Sequence, residues 1–397
     1  MEYCFSDKIA ALKPSAIREI FKSLTDPEII SFAAGNPAPE SFPVEELAAL
    51  SDKIFREQAV TALQYSITEG YTPLREAIAL RQRRRFGESM VRDGDMTLVV
   101  SGGQQGIELA TKVLCNEGDE VICEDPSFIG ALNAFRSCGA RTVGVPMESD
   151  GISVEGLEQM LRDHPRAKLI YLIPTFHNPT GITMSLSKRR QVLALAKQYG
   201  VPILEDNPYG ELRFAGEEIP TLKSMDEDGV VIYCSSFSKL LSAGMRVGFV
   251  IAPSAVATKM VVAKQSEDVH TNIFFQILCH RYITECDLDA HVAAINALYR
   301  QKCNLMLDCI RRYIPADRAT FTQPEGGLFL WGTLTGAPDS DSFVQKALAK
   351  KVAVVPGKTF LCDPSLPSPS FRLNYSTPSD EQIEIGIRRL GEALTEY

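Results

Sequence analysis

The chain lacks the features that mark several large classes of protein. No apolar run approaches the ~20 residues that a membrane-spanning helix needs, and the first residues show no secretory signal. The ten cysteines form no C-x-x-C pair and no Cys/His ligand spacing, which argues against both a zinc site and a disulfide scaffold. We therefore expect a cytoplasmic protein with reduced thiols and no membrane association.

An excess of positive charge is also missing. The 397 residues carry a formal net charge of −9 and no Lys/Arg-rich tail, so a nucleic-acid partner is not expected. The densest basic run, residues 81–85, falls late in a predicted helix, where it suits the negative end of the dipole. An apolar content of 45% and a charged content of 23% are typical of a globular protein, here long enough for two domains.

The middle of the chain alternates short β-rich runs with helical patterns, which is typical of a parallel sheet covered by helices. Seven strands are predicted at residues 97–100, 120–123, 141–145, 169–172, 201–205, 230–234 and 247–251. Helices are predicted between them at residues 104–114, 128–137, 154–162 and 186–199. We therefore predict an α/β fold whose large domain holds a doubly wound, mostly parallel seven-stranded sheet.

The pattern changes after residue 285. A long helix at 288–313 is followed by strand-like stretches at 319–332, 352–355 and 370–375 and by helices at 341–350 and 379–395, which indicates a smaller α+β domain. We predict an N-terminal segment (1–44) on or near the small domain, a large domain (45–285) and a small C-terminal domain (286–397). Ligands of open α/β sheets bind beyond the carboxyl ends of the strands, so the functional residues are expected there.

The segment SSFSKL at residues 235–240 places Lys239 among hydroxyls in an otherwise apolar strand-to-loop passage. Burial disfavours the charged amine and lowers its pKa, which makes a lysine a usable nucleophile or base. Such an amine can form a Schiff base with an aldehyde such as that of pyridoxal phosphate. Ser236, Ser238 and Arg246 would then suit a phosphate. The alternative is a surface Ser/Lys turn.

Three other segments carry candidate functional residues in unusual surroundings. Gly102 and Gly103 open a predicted helix, which is either a phosphate cradle or only a tight turn. Asp206 ends a buried strand, where a carboxylate needs a partner unless it caps a helix. Arg372 stands alone in an apolar β-like run, which is costly unless its guanidinium binds the carboxylate of a ligand or of an Asp or Glu of the chain.

Taken in order, these segments resemble the class I/II, fold-type I pyridoxal-phosphate-dependent aminotransferases. The strings SFAAGNP (31–37), HNPTG (177–181), DNPY (206–209) and PEGGLFLW (324–331) extend the resemblance over nearly the whole chain. Within the family, the chain is most similar to the 2-aminoadipate and kynurenine aminotransferase subgroup. The resemblance implies pyridoxal 5'-phosphate as cofactor and a ping-pong transfer of the amino group from an L-amino acid to a 2-oxo acid.

The resemblance also implies a role for each cofactor-binding residue. Lys239 would hold the cofactor as a Schiff base and shuttle a proton, while Asp206 would pair with the pyridine nitrogen. Asn178 and Tyr209 would donate to the phenolic oxygen, and the ring of Phe128 would stack on the cofactor. The residues implied at the phosphate are Gly103, Gln104, Ser236, Ser238 and Arg246.

Substrate and subunit roles follow from the same resemblance. Arg372 would bind the α-carboxylate of the substrate in a site that Gly35 and Asn178 also line. Tyr65 resembles the tyrosine that reaches the phosphate of a neighbouring subunit, which implies a homodimer with shared active sites. Arg18 matches a position near the side-chain pocket, where it would favour an acidic substrate or pair with a local carboxylate.

Two departures leave alternatives open. Phe128 stands where the family usually has tyrosine, which removes a hydroxyl near the reacting centre, and Ala34 stands where subgroup relatives often have glycine. The motifs indicate a cofactor that accepts electrons, but they do not determine which product is formed. A lyase or decarboxylase on the same scaffold is therefore an alternative. A non-catalytic, aminotransferase-like transcription regulator would carry a winged-helix domain and a linker before this fold. We expect that class less, because the charge is acidic and only about 30 residues precede the Gly35 segment.

Overall fold

A computed structural model describes residues 3–10, 12 and 26–397 of the chain. Its strands are β1 (Ile30–Ser31), β2 (Asp95–Val100), β3 (Glu120–Asp125), β4 (Arg141–Glu148), β5 (Gly151–Ile152), β6 (Ala167–Leu172), β7 (Ile203–Asp206), β8 (Val231–Ser236), β9 (Gly248–Pro253), β10 (Ala319–Phe321), β11 (Phe329–Leu334), β12 (Val352–Ala353), β13 (Val355–Pro356) and β14 (Ser370–Asn374).

The helices of the described residues connect and cover these strands. They are α1 (Asp7–Ala10), α2 (Val44–Glu57), α3 (Ala59–Leu63), α4 (Thr72–Phe86), α5 (Gly103–Leu114), α6 (Ile129–Ser137), α7 (Val154–Asp163), α8 (Leu186–Tyr199), α9 (Leu222–Met225), α10 (Ser254–Gln265), α11 (Ile273–Glu285), α12 (Leu288–Tyr313), α13 (Asp341–Ala349) and α14 (Asp380–Thr395). Short 3-10 helices lie at Pro39–Ser41, Glu88–Met90, Ala243–Met245 and Gly357–Phe360. None of the described helices is both long and apolar enough to cross a bilayer.

The central sheet of the described chain has eight strands in the order β2-β9-β8-β7-β6-β3-β4-β5. The four pairings from β8 to β4 are parallel, and β2–β9, β9–β8 and β4–β5 are antiparallel. The α/β class and the mostly parallel sheet are confirmed. All seven predicted strands are present, and the two-residue strand β5 adds an eighth, which is too short to show an alternation of apolar residues in the sequence.

Both faces of the sheet are buried, because successive side chains of a strand point to opposite faces. On β3, Val121 and Cys123 join the apolar cluster under α5, α6 and α10, whereas Ile122 joins the cluster under α7 and α8. A sheet covered on both faces explains why its strands read as continuous apolar runs.

Local capping explains why some helix bounds match the prediction. The hydroxyl of Ser185 accepts a hydrogen bond from the backbone N–H of Lys188 at the start of α8, and Gly200 follows its end with φ 66°. A serine N-cap and a left-handed glycine after the last turn are standard start and stop signals. The observed helix therefore has the predicted bounds of 186–199.

A smaller antiparallel sheet, ordered β10-β11-β14-β13, is packed with α12, α13 and α14. Strand β1 pairs in parallel with β12, so residues 30–31 lie on this part of the molecule. Lys8 of α1, in contrast, pairs with Glu117 at the end of α5. The described portion of the N-terminal segment thus touches both parts, and the predicted domain boundaries stay a prediction.

The two sheets meet where the site is built. Strands β3, β6, β7 and β8 are parallel, so their carboxyl ends share one edge of the central sheet. Strand β14 approaches this edge with Arg372, and the backbone N–H of Asn374 donates to the carbonyl of Phe32 at 2.8 Å. Lys239, which follows β8, donates to the carbonyl of Gly35, so residues 32–35 lie between the small sheet and the strand ends.

Candidate active site

A cavity of about 430 Å³ lies at the carboxyl ends of the parallel strands. Most of the residues that the sequence predicts for the site line it. They are Gly35, Gly103, Gln104, Phe128, Asn178, Asp206, Tyr209, Ser236, Ser238, Lys239, Arg246 and Arg372. Phe329 and Gly130 also line the cavity, and the sequence did not predict a role for them.

Lys239 follows β8 and is held as a half-buried amine. Its Nζ donates to the carbonyl oxygen of Gly35 at 2.7 Å, and within the described chain no Asp or Glu pairs with it. Burial lowers the pKa of Lys239 to about 8, and the positive charges of Arg372 and Arg246 lower the pKa in the same direction. A substantial fraction of this amine is therefore neutral near physiological pH, as a nucleophile or base requires.

Arg372 is a buried guanidinium without a carboxylate partner in the described part of the chain. Its Nη1 donates to Asn178 Oδ1 and its Nη2 to the carbonyl of Ala33, both at 2.8 Å. The guanidinium also lies between the rings of Phe329 and Phe360, at 4.3 and 4.8 Å from their centroids.

The charge of Arg372 is not neutralised by these contacts. Its Nε has no hydrogen-bond partner, and burial lowers the pKa of Arg372 to about 10. Among the described residues, the structural ion pair considered as an alternative is therefore not formed. The guanidinium remains charged at neutral pH and suits an anionic group of a ligand.

Asp206 ends β7 with its carboxylate at the cavity. Tyr171 Oη, on the neighbouring strand β6, donates to Asp206 Oδ2 at 2.7 Å. Burial raises the pKa of Asp206 to about 7, against which the hydrogen bond from Tyr171 acts. No helix begins within the fully described stretch 207–221, so the helix-cap alternative does not apply. A cationic ligand group would favour the charged carboxylate.

Asn178 joins two functional groups of the cavity. Its Oδ1 accepts from Arg372, and its Nδ2 donates to the hydroxyl oxygen of Tyr209 at 3.4 Å. Burial raises the pKa of Tyr209 above its ordinary value, so its hydroxyl stays protonated and can donate to an oxygen of a ligand. Asn178 and Tyr209 therefore present donors at one place in the cavity.

His177 and Thr180 support the turn that carries Asn178. His177 Nδ1 lies 2.9 Å from Thr180 Oγ1, and His177 Nε2 lies 3.3 Å from Glu124 Oε2 at the end of β3. Both His177 and Glu124 are buried. No signal in the sequence pointed to Glu124, because its contact with His177 depends on the three-dimensional pairing of β3 with β6.

The turn before α5 forms an anion cradle. Ser236 Oγ donates to Ser238 Oγ at 2.8 Å, and Arg246 Nη1 donates to the same Ser238 hydroxyl at 3.2 Å. Gly102 has φ 82°, and a Cβ on it would overlap the Arg246 guanidinium. Hydroxyls, a guanidinium and the free N–H groups at the start of α5 thus converge, which is a favourable environment for a phosphate.

Gln104 and Phe128 form the wall beside this cradle. Gln104 Nε2 donates to the carbonyl of Gly130 at 2.8 Å, and a Cβ on Gly130 would overlap the ring of Phe128. The glycine therefore leaves room for the ring of Phe128, which borders the cavity. Its ring is available for stacking on a planar ligand.

Two predicted residues are not found among the described residues that line this cavity. Tyr65 is 83% exposed, and its ring packs edge-on against His270 with centroids 5.8 Å apart. Arg18 lies outside the described residues. Within the single described chain, Tyr65 does not line the cavity, and the call on Arg18 stays a prediction.

The donors of the cavity fit pyridoxal 5'-phosphate group by group. The cradle of Ser236, Ser238 and Arg246 suits its phosphate, and the carboxylate of Asp206 suits its ring nitrogen. The amine of Lys239 suits its aldehyde. The orphaned Nε of Arg372 marks room for a further anion, which the α-carboxylate of an amino acid would supply. The fold and the site define a fold-type I, pyridoxal-phosphate-dependent enzyme.

Comparison with known proteins identifies the family. The model of the family "Aminotransferase class I and II" matches residues 27–390, and the chain belongs to this family. The aromatic-amino-acid aminotransferase 1 of Thermococcus litoralis is 39% identical, over 100% of this chain and 95% of its own length. The chain is therefore a pyridoxal-phosphate-dependent aminotransferase.

Solved structures agree with this assignment. The multiple substrate aminotransferase from Thermococcus profundus superposes with a TM-score of 0.94 at 37% identity, over 99% of this chain and 97% of that one. The alpha-aminoadipate aminotransferase from Thermus thermophilus, complexed with N-(5'-phosphopyridoxyl)-L-leucine, has a TM-score of 0.89 at 36% identity with the same coverage.

The cradle can be tested with a matched pair of glycines. Gly102 (φ 82°, ψ 165°) and Gly87 (φ 94°, ψ 167°) have nearly the same backbone conformation, in which other residues are strained by about 1–3 kcal/mol. A Cβ on Gly87 meets nothing within 4 Å. We predict that Gly102→Ala weakens cofactor binding at least tenfold because the methyl group displaces Arg246, as measured by titrating the apoenzyme.

Gly87→Ala is the control for backbone strain. It should lose a similar free energy of unfolding in urea but bind the cofactor as the wild type does. Equal cofactor affinity in the Gly102→Ala and wild-type proteins would contradict the assignment of the cradle.

Proposed function

We propose that the enzyme transfers the amino group of an L-amino acid to a 2-oxo acid in this cavity, and that Lys239, Arg372 and Asp206 have distinct roles in the transfer. The supporting observation is that an amine of lowered pKa and an unpaired, buried guanidinium face one cavity. Both are bound to carbonyls of one short segment, Lys239 to that of Gly35 and Arg372 to that of Ala33.

Binding of the substrate falls to Arg372. Its unpartnered Nε and its charge suit the α-carboxylate of an amino acid, and the two flanking phenyl rings restrict the plane of the guanidinium. A fixed guanidinium plane loses little freedom when it binds a carboxylate. Lys239 lines the same cavity as Arg372.

Residues around the cofactor position prepare the electronic step. Pyridoxal phosphate, when bound, supplies an aldehyde that reacts with amines and a ring that accepts electrons from the substrate α carbon. Asp206 would hold a proton at the ring nitrogen, which would strengthen that electron demand. Asn178 Nδ2 and the hydroxyl of Tyr209 would donate to the phenolic oxygen.

Proton transfer falls to Lys239. Its Nζ, which has a pKa of about 8, takes the proton from the substrate α carbon and holds it as an ammonium group beside the carbonyl of Gly35. A base with a pKa near the working pH transfers protons efficiently in both directions. The same groups act in reverse on the 2-oxo acid, which completes the ping-pong cycle.

The proposal is tested by absorption spectra of the purified enzyme with single L-amino acids and no oxo acid. We expect loss of the cofactor band with one 2-oxo acid formed per site and no ammonia. Lys239→Ala should bind the cofactor non-covalently and show no turnover, because no other described amine faces the cavity. Ammonia released over many turnovers would instead show a lyase, and an active Lys239→Ala enzyme would contradict the role of Lys239.

The role of Arg372 predicts a change in substrate preference. Arg372→Lys keeps a charge but loses the planar donor pair, so kcat/KM for an L-amino acid donor should fall about 100-fold. The decarboxylated amine of the same donor is the control, because it has no carboxylate to lose. Steady-state kinetics that show an equal loss for the acid and the amine would contradict carboxylate binding by Arg372.

We further propose a homodimer with shared active sites. Large apolar side chains are exposed close together in sequence around α3, which supports an interface there. They are Phe55, Val60, Leu63, Tyr65 and Ile67, each at least 50% exposed. Arg246 is also exposed beside the cradle, so a second copy could bring Tyr65 to the phosphate.

Tyr65→Phe tests this arrangement by removing one hydroxyl. We expect the dimer to persist in sedimentation velocity and the cofactor to bind about tenfold more weakly, because one hydrogen bond to a charged phosphate is lost. Tyr3→Phe, at another exposed tyrosine (75%), should change neither property. A fully active wild-type monomer would exclude the shared site.

A cytoplasmic location is proposed on the state of the cysteines. All ten are free thiols, and six of them are buried. Free thiols persist in a reducing compartment, which supports the proposal.

A further inference from the structure

We infer that Tyr171 is a positioning residue for Asp206: its hydroxyl holds one carboxylate oxygen and keeps the other charged and directed at the ring nitrogen of the cofactor. This inference rests on the role proposed above for Asp206. The sequence does not single out Tyr171, which lies in the apolar strand β6.

The register of the sheet brings the two side chains together. Tyr171 of β6 is the partner of Leu204 on β7, and Leu204 and Asp206 point to the same face because side chains alternate along a strand. Tyr171 therefore extends along that face toward the strand end. Its Oη lies 2.7 Å from Asp206 Oδ2. The ring of Phe135 packs edge-on against the ring of Tyr171, with centroids 5.3 Å apart.

Among the described residues, the hydroxyl of Tyr171 makes no hydrogen bond other than the one to Asp206. The side chain is fully buried in the apolar cluster that includes Cys123, Phe135 and Leu204. A phenylalanine would fill nearly the same space, and a buried hydroxyl is costly unless it is hydrogen-bonded. The hydroxyl is therefore explained by the carboxylate that it binds.

The second oxygen of Asp206 faces the cavity. Among the described residues, no donor binds Oδ1, and a Cβ on Gly103 would lie 3.9 Å from it. Asp206 and Gly103 both line the cavity. One oxygen is thus fixed from inside the sheet while the other is presented to a ligand, and the carboxylate plane cannot rotate without breaking the bond to Tyr171.

The hydrogen bond also affects the charge of Asp206. Burial raises the pKa of Asp206 to about 7, and the hydrogen bond from Tyr171 opposes that rise. No lysine or arginine in the described part of the chain pairs with this carboxylate. Without the hydroxyl the pKa would rise further, so the carboxyl group would be neutral near pH 7 and would bind a protonated ring nitrogen poorly.

Lys239 lines the same cavity and has a pKa of about 8, but it is not among the groups that shift the pKa of Asp206. The groups in contact with Asp206 do not titrate in this range. Tyr171 faces it from β6, Tyr209 from the following turn and Cys234 from β8, while α5 presents only Gly103. Burial raises the pKa of Tyr171, Tyr209 and Cys234, and the charge of Asp206 raises each further. Asp206 is therefore the group of this set whose charge changes near neutral pH.

The test measures binding of pyridoxine 5'-phosphate to the apoenzyme from pH 6 to pH 9. This probe has the ring nitrogen and the phosphate but no aldehyde, so Lys239 does not react with it. We expect Tyr171→Phe to weaken binding about tenfold near pH 7 and progressively less toward pH 9, where the carboxyl group ionises even without the hydroxyl. The ratio of variant to wild-type affinity at each pH cancels the titration of the probe.

Two controls separate this effect from a structural one. Tyr375→Phe removes another fully buried hydroxyl, which binds the carbonyls of Gly326 and Gly327, and should bind the probe as the wild type does. The 1-deaza analogue of the probe, with a C–H in place of the ring nitrogen, should bind equally to the wild-type and Tyr171→Phe proteins. A loss that is the same at every pH, or the same for the deaza analogue, would overturn the inference.

A second substitution covers the case in which Tyr171→Phe does not fold. Placing 3-fluorotyrosine at position 171 keeps the shape and makes the hydroxyl a stronger donor, so the pH midpoint of probe binding should move down. An unchanged or raised midpoint would overturn the inference.

Asp206→Asn separates this inference from the function on which it rests. If Asp206→Asn binds the probe as the wild type does at every pH, the role proposed for Asp206 fails together with the inference. If Asp206→Asn weakens binding and Tyr171→Phe does not, only the inference on Tyr171 fails.

Discussion

The structure of the site depends on a buried positive charge that the described chain does not neutralise. The Arg372 guanidinium is bound by an amide oxygen, a carbonyl oxygen and two aromatic faces, and none of these carries a full negative charge. Its field contributes to the low pKa of Lys239. The same side chain connects β14 of the small sheet to the Asn178 turn of the large sheet and to the N-terminal segment at Ala33.

This arrangement lowers the stability of the ligand-free protein and favours the binding of an anionic ligand. Lys239, Arg246 and Arg372 line one cavity together with Asp206, and burial raises the pKa of Asp206 to about 7. Charged groups without partners lower the free energy of unfolding. An anionic ligand that binds only the folded state raises the free energy of unfolding again. Preorganised charges of this kind also need little rearrangement when the substrate reacts.

Much of the site could be predicted because its members follow strand ends in recognisable strings. Asp206 ends a β-rich run, while Lys239 and Asn178 lie in the loops that follow β8 and β6. Hydroxyls, glycines and turn residues distinguish these positions from core positions. The bounds of α8 and α12 were also predictable, since apolar periodicity is reliable in long helices.

The roles of Tyr171 and Glu124 could not be predicted from the sequence. A single polar group in an apolar strand resembles a core residue, and the partners of both side chains are set by the register between strands distant in sequence. The eighth strand, β5, is too short to carry a pattern, and Tyr65 would acquire its role only from a second chain.

The hydrogen bond between Arg372 and Ala33 joins residues separated by 339 positions, and β1 is completed by β12 near the other end of the chain. During synthesis, the amino-terminal part leaves the ribosome long before the residues that it must bind. The large sheet can form while translation continues, since its strands are all made by residue 253. Arg372, to which we assign the substrate carboxylate, lies on β14, near the other end of the chain. A nascent chain that stops short of β14 therefore holds every strand of the large sheet but lacks the guanidinium proposed to bind the substrate.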